Sequence, residues 1–533
     1  MTLLAASLSH AQSVDIDAKV ESYAPDYFAA FAPQTAADMV ARIPGFAITG
    51  SEGSERGFGQ ASLNILINGR RPSSKSSGAN EILRRIPAAT VTRIEIVDGA
   101  ALDIPGLSGQ VANIIAKSGM LSGQWNYAMR FEEGTEPQLA DAGISLSAKR
   151  GNLEIVGSVT LGEFQFTENG TETFFNADGS VAQDRIEQVY YESQSPNADL
   201  NLTLNRDNGD VANLNLSGGV TNTNQGVYED FTTAPSTTLS GQSVVRGGED
   251  EKSYEIGGDY AFDVGGLGQN GRLKLIALHR YEDSEFPNTF YQNDFTDGIF
   301  EQRFDQDDVE TEYIGRGEYT WKTMGGHDWT ASLEGAFNRL DSETSFSANG
   351  STPALDAVEV EEQRAQANLS QSWAVNPKLR LQASLGAEYS VIDVVSDNSP
   401  SRNYFRPKGF LSGSYKIDDH YTLRAKAERT VGQLNFDIFV STQNLSDAIL
   451  FSTFPEVGSV IERAAFEAVA SEVKLTRFGC DCYAYALLAA GQIDLVIEAG
   501  LQPYDILGPI GVIDAAGGVV TDWQGNSAQN GGR

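Results

Sequence analysis

EYIGRGEYTWKTMGGHDWTASLEGAFN, residues 312–338, decides the fold, because it alternates with a period of two on both sides of one short turn. Before the turn, Tyr313, Gly315, Gly317, Tyr319 and Trp321 share one face, while Glu312, Arg316, Glu318 and Thr320 share the other, since successive side chains of a strand point to opposite sides. After TMGGHD the pattern resumes, with Trp329, Ala331, Leu333, Gly335 and Phe337 on the apolar face opposite Thr330, Ser332, Glu334 and Asn338. Such a hairpin suits a sheet with lipid on one side and water on the other. Trp321 and Trp329 flank the turn, where aromatic side chains meet a bilayer interface.

The same design recurs to either side. In RAQANLSQSWAVNPKLRLQASLGAEYS, Ala365, Ala367, Leu369 and Trp373 precede a turn and Leu379, Leu381, Ala383, Leu385 and Ala387 follow it. Around KIDDHYTLRAKAE, Tyr421, Leu423, Ala425 and Ala427 repeat the pattern. Short turns alternate with longer acidic stretches such as FTTAPSTTLSGQSVVRGGEDEKS, read as loops. Strands of about ten residues are expected, longer than the five or six common in a soluble sandwich, and they favour a membrane barrel over residues 119–446.

Composition agrees. The chain of 533 residues carries 38 Lys and Arg against 72 Asp and Glu, a formal charge of −34, which argues against a nucleic-acid partner. No run of eighteen apolar residues occurs, so a membrane helix is excluded while a spanning barrel is not. MTLLAASLSHAQS at the start reads as the stub of an export signal, with an ordinary frayed N-terminus as the alternative; residues 1–29 form this leading segment. Cys480 and Cys482, one residue apart, are poorly placed to bridge each other and read as reduced thiols.

Outside the alternating region the text changes twice. From about residue 30 to 118 short helical and strand signals alternate. Asn80 is expected to cap a helix whose apolar face is Ile82, Leu83 and Ile86, Pro87 ends it, and Val91 to Val97 follows as a strand with Arg93 and Glu95 outward. From about 446 to 533 Ala-rich helices alternate with the strands KLTRF, IDLVIEA and GGVVTDW, as in a soluble α/β piece.

The segments TAADMVARIPGF, ILINGRRPSSK, ILRRIPAATVTRIEIVDG and DIPGLSGQVANIIAK, in that order, resemble the plug domain of TonB-dependent outer-membrane receptors. The resemblance implies a plug at 30–118 followed by a barrel. Such barrels have about 22 strands, and residues 119–446 have room for roughly two thirds of that number, so a truncated antiparallel barrel is expected. It also implies an outer-membrane location in contact with lipid, a small-molecule nutrient ligand, and a TonB-type inner-membrane energy-coupling partner.

LTRFGCDCYAYALLAAGQIDLVIEAGLQPYDILGPIGVIDAAGGVVTDWQG is similar to the histidinol-phosphatase branch of the inositol monophosphatase superfamily. The resemblance implies that Asp505 is a ligand of catalytic Mg2+, a hard cation suited to carboxylate oxygen. It implies that Glu498 contacts substrate, with Arg477 and Asp481 beside the pocket. Without the resemblance, Asp505 at a helix start reads as an N-cap and Glu498 as solvated surface. The family's upstream D-P-x-D-G-T-type motif does not precede residue 446, so the implied Mg2+ site is expected to be incomplete and no catalytic residue is assigned.

The fold expected is therefore mainly β: a small α/β plug domain, a truncated antiparallel outer-membrane barrel, and a C-terminal α/β fragment of the inositol-monophosphatase type at 447–533. The function expected is energy-coupled nutrient uptake by an incomplete, chimeric receptor. The alternatives are a Mg2+-dependent phosphatase acting on histidinol phosphate or inositol phosphates, inactive for want of its other ligands and of cytoplasmic parentage, and a non-functional gene fusion.

Overall fold

The computed structural model describes residues 21–48, 63–69, 78–99, 110–117, 121–131, 137–175, 180–236, 238–266, 268–295, 298–325, 327–351, 354–395, 401–418, 421–429, 445, 448–454, 457–479, 481–489, 493–516, 518–529 and 531. The chain divides into two compact units, Met1–Val431 and Gly432–Arg533.

The first unit opens with a four-stranded sheet. β1 (Glu21–Tyr23) leads to the short helices α1 (Pro25–Phe28) and α2 (Ala36–Val40), then β2 (Ile65–Ile67), α3 (Ala79–Arg84), β3 (Val91–Asp98) and β4 (Gln110–Ala116), in sheet order β1-β3-β4-β2. Thr35 and Asp38 form a reciprocal capping box: Thr35 Oγ1 accepts from the Asp38 N–H, and Asp38 Oδ2 accepts from the Thr35 N–H at 2.9 Å. This satisfies two N–H groups that the first turn leaves without helical partners. Met39, Leu83, Ile94 and Ile114 then close an apolar core. Asn80 departs from expectation, because α3 begins one residue earlier and the Ile82 N–H reaches the Gly78 carbonyl, which puts Asn80 inside the first turn. Arg93 and Glu95 pair with each other at 2.7 Å on the outer side of β3.

Thirteen antiparallel strands follow in sequence order. They are β5 (Leu121–Arg130), β6 (Gln138–Arg150), β7 (Leu153–Phe175), β8 (Val181–Asn205), β9 (Val211–Thr233), β10 (Gly241–Asp263), β11 (Gln269–Asp294), β12 (Gly298–Lys322), β13 (Asp328–Ala348), β14 (Ala354–Asn376), β15 (Leu379–Val394), β16 (Arg402–Lys416) and β17 (Thr422–Arg429). Among the described residues β5 and β17 are the two ends of the sheet and do not pair with each other.

Two expectations are corrected here. β11 runs to 26 residues and β12 to 25, more than twice the expected ten. Residues 241–253 of the supposed acidic loop belong to β10, paired on both sides. The reason is common to both: hydrophobic alternation marks only the part of a strand with one apolar face, whereas the hydrogen-bond ladder continues wherever a neighbour offers partners.

The two faces follow the predicted alternation. Tyr319, Trp321 and Trp329 stack in series, with ring centroids 5.3 and 6.0 Å apart. His279 and Tyr313 stack at 4.4 Å further along. Tyr313 lies eight positions from Trp321 on the same strand, which at about 3.3 Å per residue separates the two aromatic rows by roughly 26 Å along it. Leu333 and Leu385, between these rows, are 70% and 75% exposed.

On the opposite face the register aligns Gln124, Ser145, Ser158, Asp199, Ser217, Glu255, Arg280, Glu312, Asn338 and Glu362 in one continuous cross-strand row from β5 to β14. The alternation missed Ile314 and Ala336, which lie on this polar face and bury themselves with Leu278.

The second unit is a three-stranded parallel sheet ordered β19-β18-β20, from β18 (Ile449–Ser452), β19 (Leu475–Phe478) and β20 (Leu495–Val496). It carries α4 (Val460–Ala470), α5 (Asp481–Ala489) and α6 (Pro503–Ala515). Ser459 caps α4, its side chain accepting from the Glu462 N–H. Leu450, fully buried, packs with Val457 and Phe466. The segment GGVVTDW, expected as a strand, has no ladder among its described residues. Instead Trp523 donates its Nε1–H to the Glu498 carbonyl at 3.0 Å and lies against the Leu450 cluster.

Candidate functional sites

Two places bring chemistry-bearing side chains together. The first lies where the plug meets the polar face of the large sheet. α3 ends at Arg84, and Arg85 extends to Asp199 of β8, Nη2 to Oδ2 at 2.8 Å. Ser145 on β6 donates to the Arg85 carbonyl at 3.3 Å, and the Gln124 side chain of β5 donates to the Arg84 carbonyl. All three wall residues belong to the cross-strand row described above, so the period of two aims them at the plug. A cavity of about 550 Å³ opens there. Further along the same face the wall becomes charged. Arg364 lies 3.1 Å from Glu334 and 3.9 Å from Glu388. Arg406 and Lys408 approach Glu388 at 2.8 and 3.0 Å. Mutual pairing is what permits so many charges away from water.

The second place is the end of the parallel sheet in the C-terminal unit. β18 is followed by β19 on one side and later by β20 on the other, so the crevice between the ends of β18 and β20 is a topological switch point, where open α/β sheets bind ligands. Glu498, two residues beyond β20, points into it. One of its carboxylate oxygens accepts from the Thr453 N–H at 3.0 Å and from the Thr453 hydroxyl, and the other from the Tyr485 hydroxyl at 3.0 Å. Sequence reading took Glu498 but not Thr453 or Tyr485; the signal available for Thr453 was the apolar run ILFS that ends just before it.

The other expected site residues are not drawn to Glu498 by any described bond. Asp505 is the third residue of α6, and its Oδ2 accepts from the Gln502 N–H at 2.8 Å. It therefore completes a helix cap from inside the first turn instead of occupying the N-cap position. Arg477 stands exposed on β19, and Asp481 begins α5. Cys482 is an exposed free thiol, and Cys480 lies outside the described residues.

A Mg2+ ion needs several oxygen ligands arranged around it. Among the described residues, the acidic group close enough to share an ion is Glu172, Glu187 and Glu229 on the large sheet, where Arg185 already pairs with Glu229 at 3.0 Å. Asp505 belongs to no such group, and one of its oxygens is engaged by the helix cap. The described residues do not fit a Mg2+ centre at Asp505, and no hydrolytic step is derived through one.

Asp522 closes the turn after Trp523. The Asn526 and Gln524 N–H groups donate to its Oδ1 at 2.7 and 2.9 Å, and these bonds, that from Asn526 foremost, hold its carboxyl below the usual carboxylate range.

Comparison with known proteins meets both resemblances. The family model of the TonB-dependent Receptor Plug Domain matches residues 12–109, and that of the inositol monophosphatase family matches residues 425–532. The chloroplastic bifunctional phosphatase IMPL2 of Arabidopsis thaliana is 52% identical over 85 residues, 16% of this chain and 25% of that protein; the chain thus spans a quarter of the length of that relative. Among solved structures, BauA, the ferric preacinetobactin receptor from Acinetobacter baumannii, aligns at 12% identity over 78% of this chain and 64% of its own, with a TM-score of 0.38. An inositol monophosphatase from Zymomonas mobilis aligns at 25% identity over 26% of this chain and 52% of its own, with a TM-score of 0.16. That family depends on Mg2+ in general. Two family models thus match separate parts of one chain, the TonB-dependent receptor plug domain toward the N-terminus and the inositol monophosphatase family at the C-terminal side.

Proposed function

We propose that the chain is a chimeric outer-membrane receptor for uptake of a small-molecule nutrient, with a plug at 30–118, barrel strands over 119–446 and a phosphatase-derived segment at 447–533. The observation that carries this reading is the Arg85–Asp199 contact at 2.8 Å, which seats the plug on the polar face of a sheet whose other face bears two aromatic rows. A TonB-type protein supplies the energy on this reading, and membrane lipid covers the apolar face. The test is fractionation and electrophoresis. The chain is expected in outer membranes, with a mobility that changes on heating in detergent; a wholly soluble product overturns the reading.

The alternative is Mg2+-dependent phosphate-ester hydrolysis by the C-terminal segment, favoured by the 52% identity over 85 residues. There Asp505 would hold the metal and Glu498, Arg477 and Asp481 would face substrate. We expect no activity, because Asp505 is held in a helix cap and belongs to no acidic cluster among the described residues. Purified chain with Mg2+ should release phosphate from histidinol phosphate no faster than its Asp505→Ala variant. A clear difference between the two establishes the alternative. A chain that is neither membrane-inserted nor hydrolytic is a fusion without function.

A further inference from the structure

The helices of the C-terminal unit differ in what they turn to water. In α4, Phe466 is buried against Leu450 and Val457, and Glu462, Arg463 and Glu467 supply a polar side. α5 and α6 have no such side. Their sequences, DCYAYALLA and PYDILGPIGVIDA, hold three Asp as their only charged residues. Ala484, Leu487 and Leu488 of α5 pack on Phe451 and Ile493, and Ile506, Ile510 and Ile513 of α6 pack against Tyr485 and Leu488 of α5. The other side of α6 is a stripe at i, i+3, i+4, i+7 and i+8, made of Tyr504, Leu507, Gly508, Gly511 and Val512. It is exposed throughout, Tyr504 to 80%, Val512 to 57% and Leu507 to 50%. Cys482, Tyr483 and Ala486 of α5 are exposed as well.

A helix that is apolar all round belongs inside a fold, covered by layers on both sides. The glycines agree: a Cβ on Gly508 or Gly511 would meet nothing within 4 Å, so a partner has room to approach α6 closely. With α6 about 20 Å long and α5 about 9 Å to its side, the uncovered layer presents roughly 300 Å², the size at which an exposed apolar patch marks an interaction site. Charge selects the occupant. Asp505 is exposed beside the stripe, and neither helix brings a base. A second copy would set acid against acid, and an anionic lipid surface would be repelled. A different polypeptide with an apolar face is free of that repulsion. The Arabidopsis phosphatase indicates its source: the 85 matching residues are a quarter of that protein, and the other three quarters lie outside the match.

We propose that the outer side of α5 and α6 docks a second polypeptide, the part of an inositol monophosphatase-family chain that lies outside the segment carried here, so that the layer becomes internal. This goes beyond the receptor reading and requires no hydrolysis. The test is calorimetric titration of detergent-purified full-length chain with the Arabidopsis phosphatase from which the 85 matching residues have been deleted. A one-to-one complex is expected. Val512→Glu and Leu507→Glu should each weaken it at least tenfold, with amide exchange in β18 unchanged, whereas Ile461→Glu, exposed on α4, should have no effect. If the deleted phosphatase is insoluble by itself, co-expression with the chain should keep it in solution, and co-expression with the Val512→Glu chain should not. Absence of both complex and solubilisation overturns the proposal, as does a complex that Val512→Glu leaves unchanged. Dimers of the chain alone, or its adsorption to anionic phospholipid vesicles, either of them removed by Val512→Glu, give the layer a different occupant and overturn it too. Faster β18 exchange in both acidic variants would place the stripe in this chain's own core, with the same consequence.

Discussion

Glu388 in the first unit is a buried carboxylate and Glu498 in the second a half-buried one, and they are accommodated in opposite ways. Glu388 is met by charge: Arg406, Lys408 and Arg364 converge on it from two neighbouring strands. Glu498 is met by neutral donors, one backbone N–H and two hydroxyls. A long antiparallel sheet repeats every second residue on one face, so cross-strand neighbours can be chosen as opposite charges over many strands. The small parallel sheet brings a strand end and a helix to its half-buried carboxylate, and those supply backbone and hydroxyl donors. The difference teaches that Glu498, whatever its role in the phosphatase family, here ties Thr453 and Tyr485 together and already has three donors.

The largest effect expected is at Glu388. Replacing it by leucine leaves Arg364, Arg406 and Lys408 without a shared counter-charge, which should cost about 3–5 kcal/mol. It would be read as a lowered midpoint of denaturant unfolding in detergent. A cost below about 1 kcal/mol, the range of exposed pairs, would mean that water reaches the network and the contrast with Glu498 is false.

A smaller effect is expected at Glu498. In Glu498→Gln the amide oxygen can still accept from the Thr453 N–H, but the Tyr485 hydroxyl faces an amide NH2, so the loss should be about 1–3 kcal/mol. Amide exchange should speed up around Thr453 and α5 while the heat-dependent mobility of the barrel stays unchanged. Loss of that mobility would show that the two units are not independent.

The smallest effect concerns acid. The folded pKa of Asp522 is depressed, chiefly by the Asn526 N–H, so the turn's stabilisation is complete above the unfolded value of about 4 and disappears as pH falls through the folded one. A carboxyl-carbon NMR titration should place the Asp522 midpoint below that of an unfolded aspartate, and Asp522→Asn, which has no titrating carboxyl there, should remove that resonance and so assign it. A midpoint at or above the ordinary value would mean that the Asn526 and Gln524 N–H groups do not hold the Asp522 carboxylate.

Much of this was legible beforehand, for physical reasons that differ by region. Alternation with a period of two assigned Tyr313, Leu333, Glu312 and Glu334 to their faces, since a strand has only two sides. It could not find Ile314 and Ala336, apolar residues on the polar face, because their burial depends on Leu278 one strand away. In the second unit the motif text located Glu498 and Asp505, but β18 passed unnoticed: three apolar residues and a serine suit a strand or a helix equally until neighbours are known.

Residue order alone therefore determined that this protein joins a long alternating sheet with one apolar and one polar face to an α/β segment, because the two faces of a strand and the stripe of a helix are written in local periodicity. Only the tertiary structure decided which polar side chains face one another. It set Arg85 against Asp199 and bound Glu498 to Thr453 and Tyr485. Those pairings depend on strand register and on chain crossings far apart in sequence, and a donor's partner is fixed by where the backbone returns, not by what lies beside it.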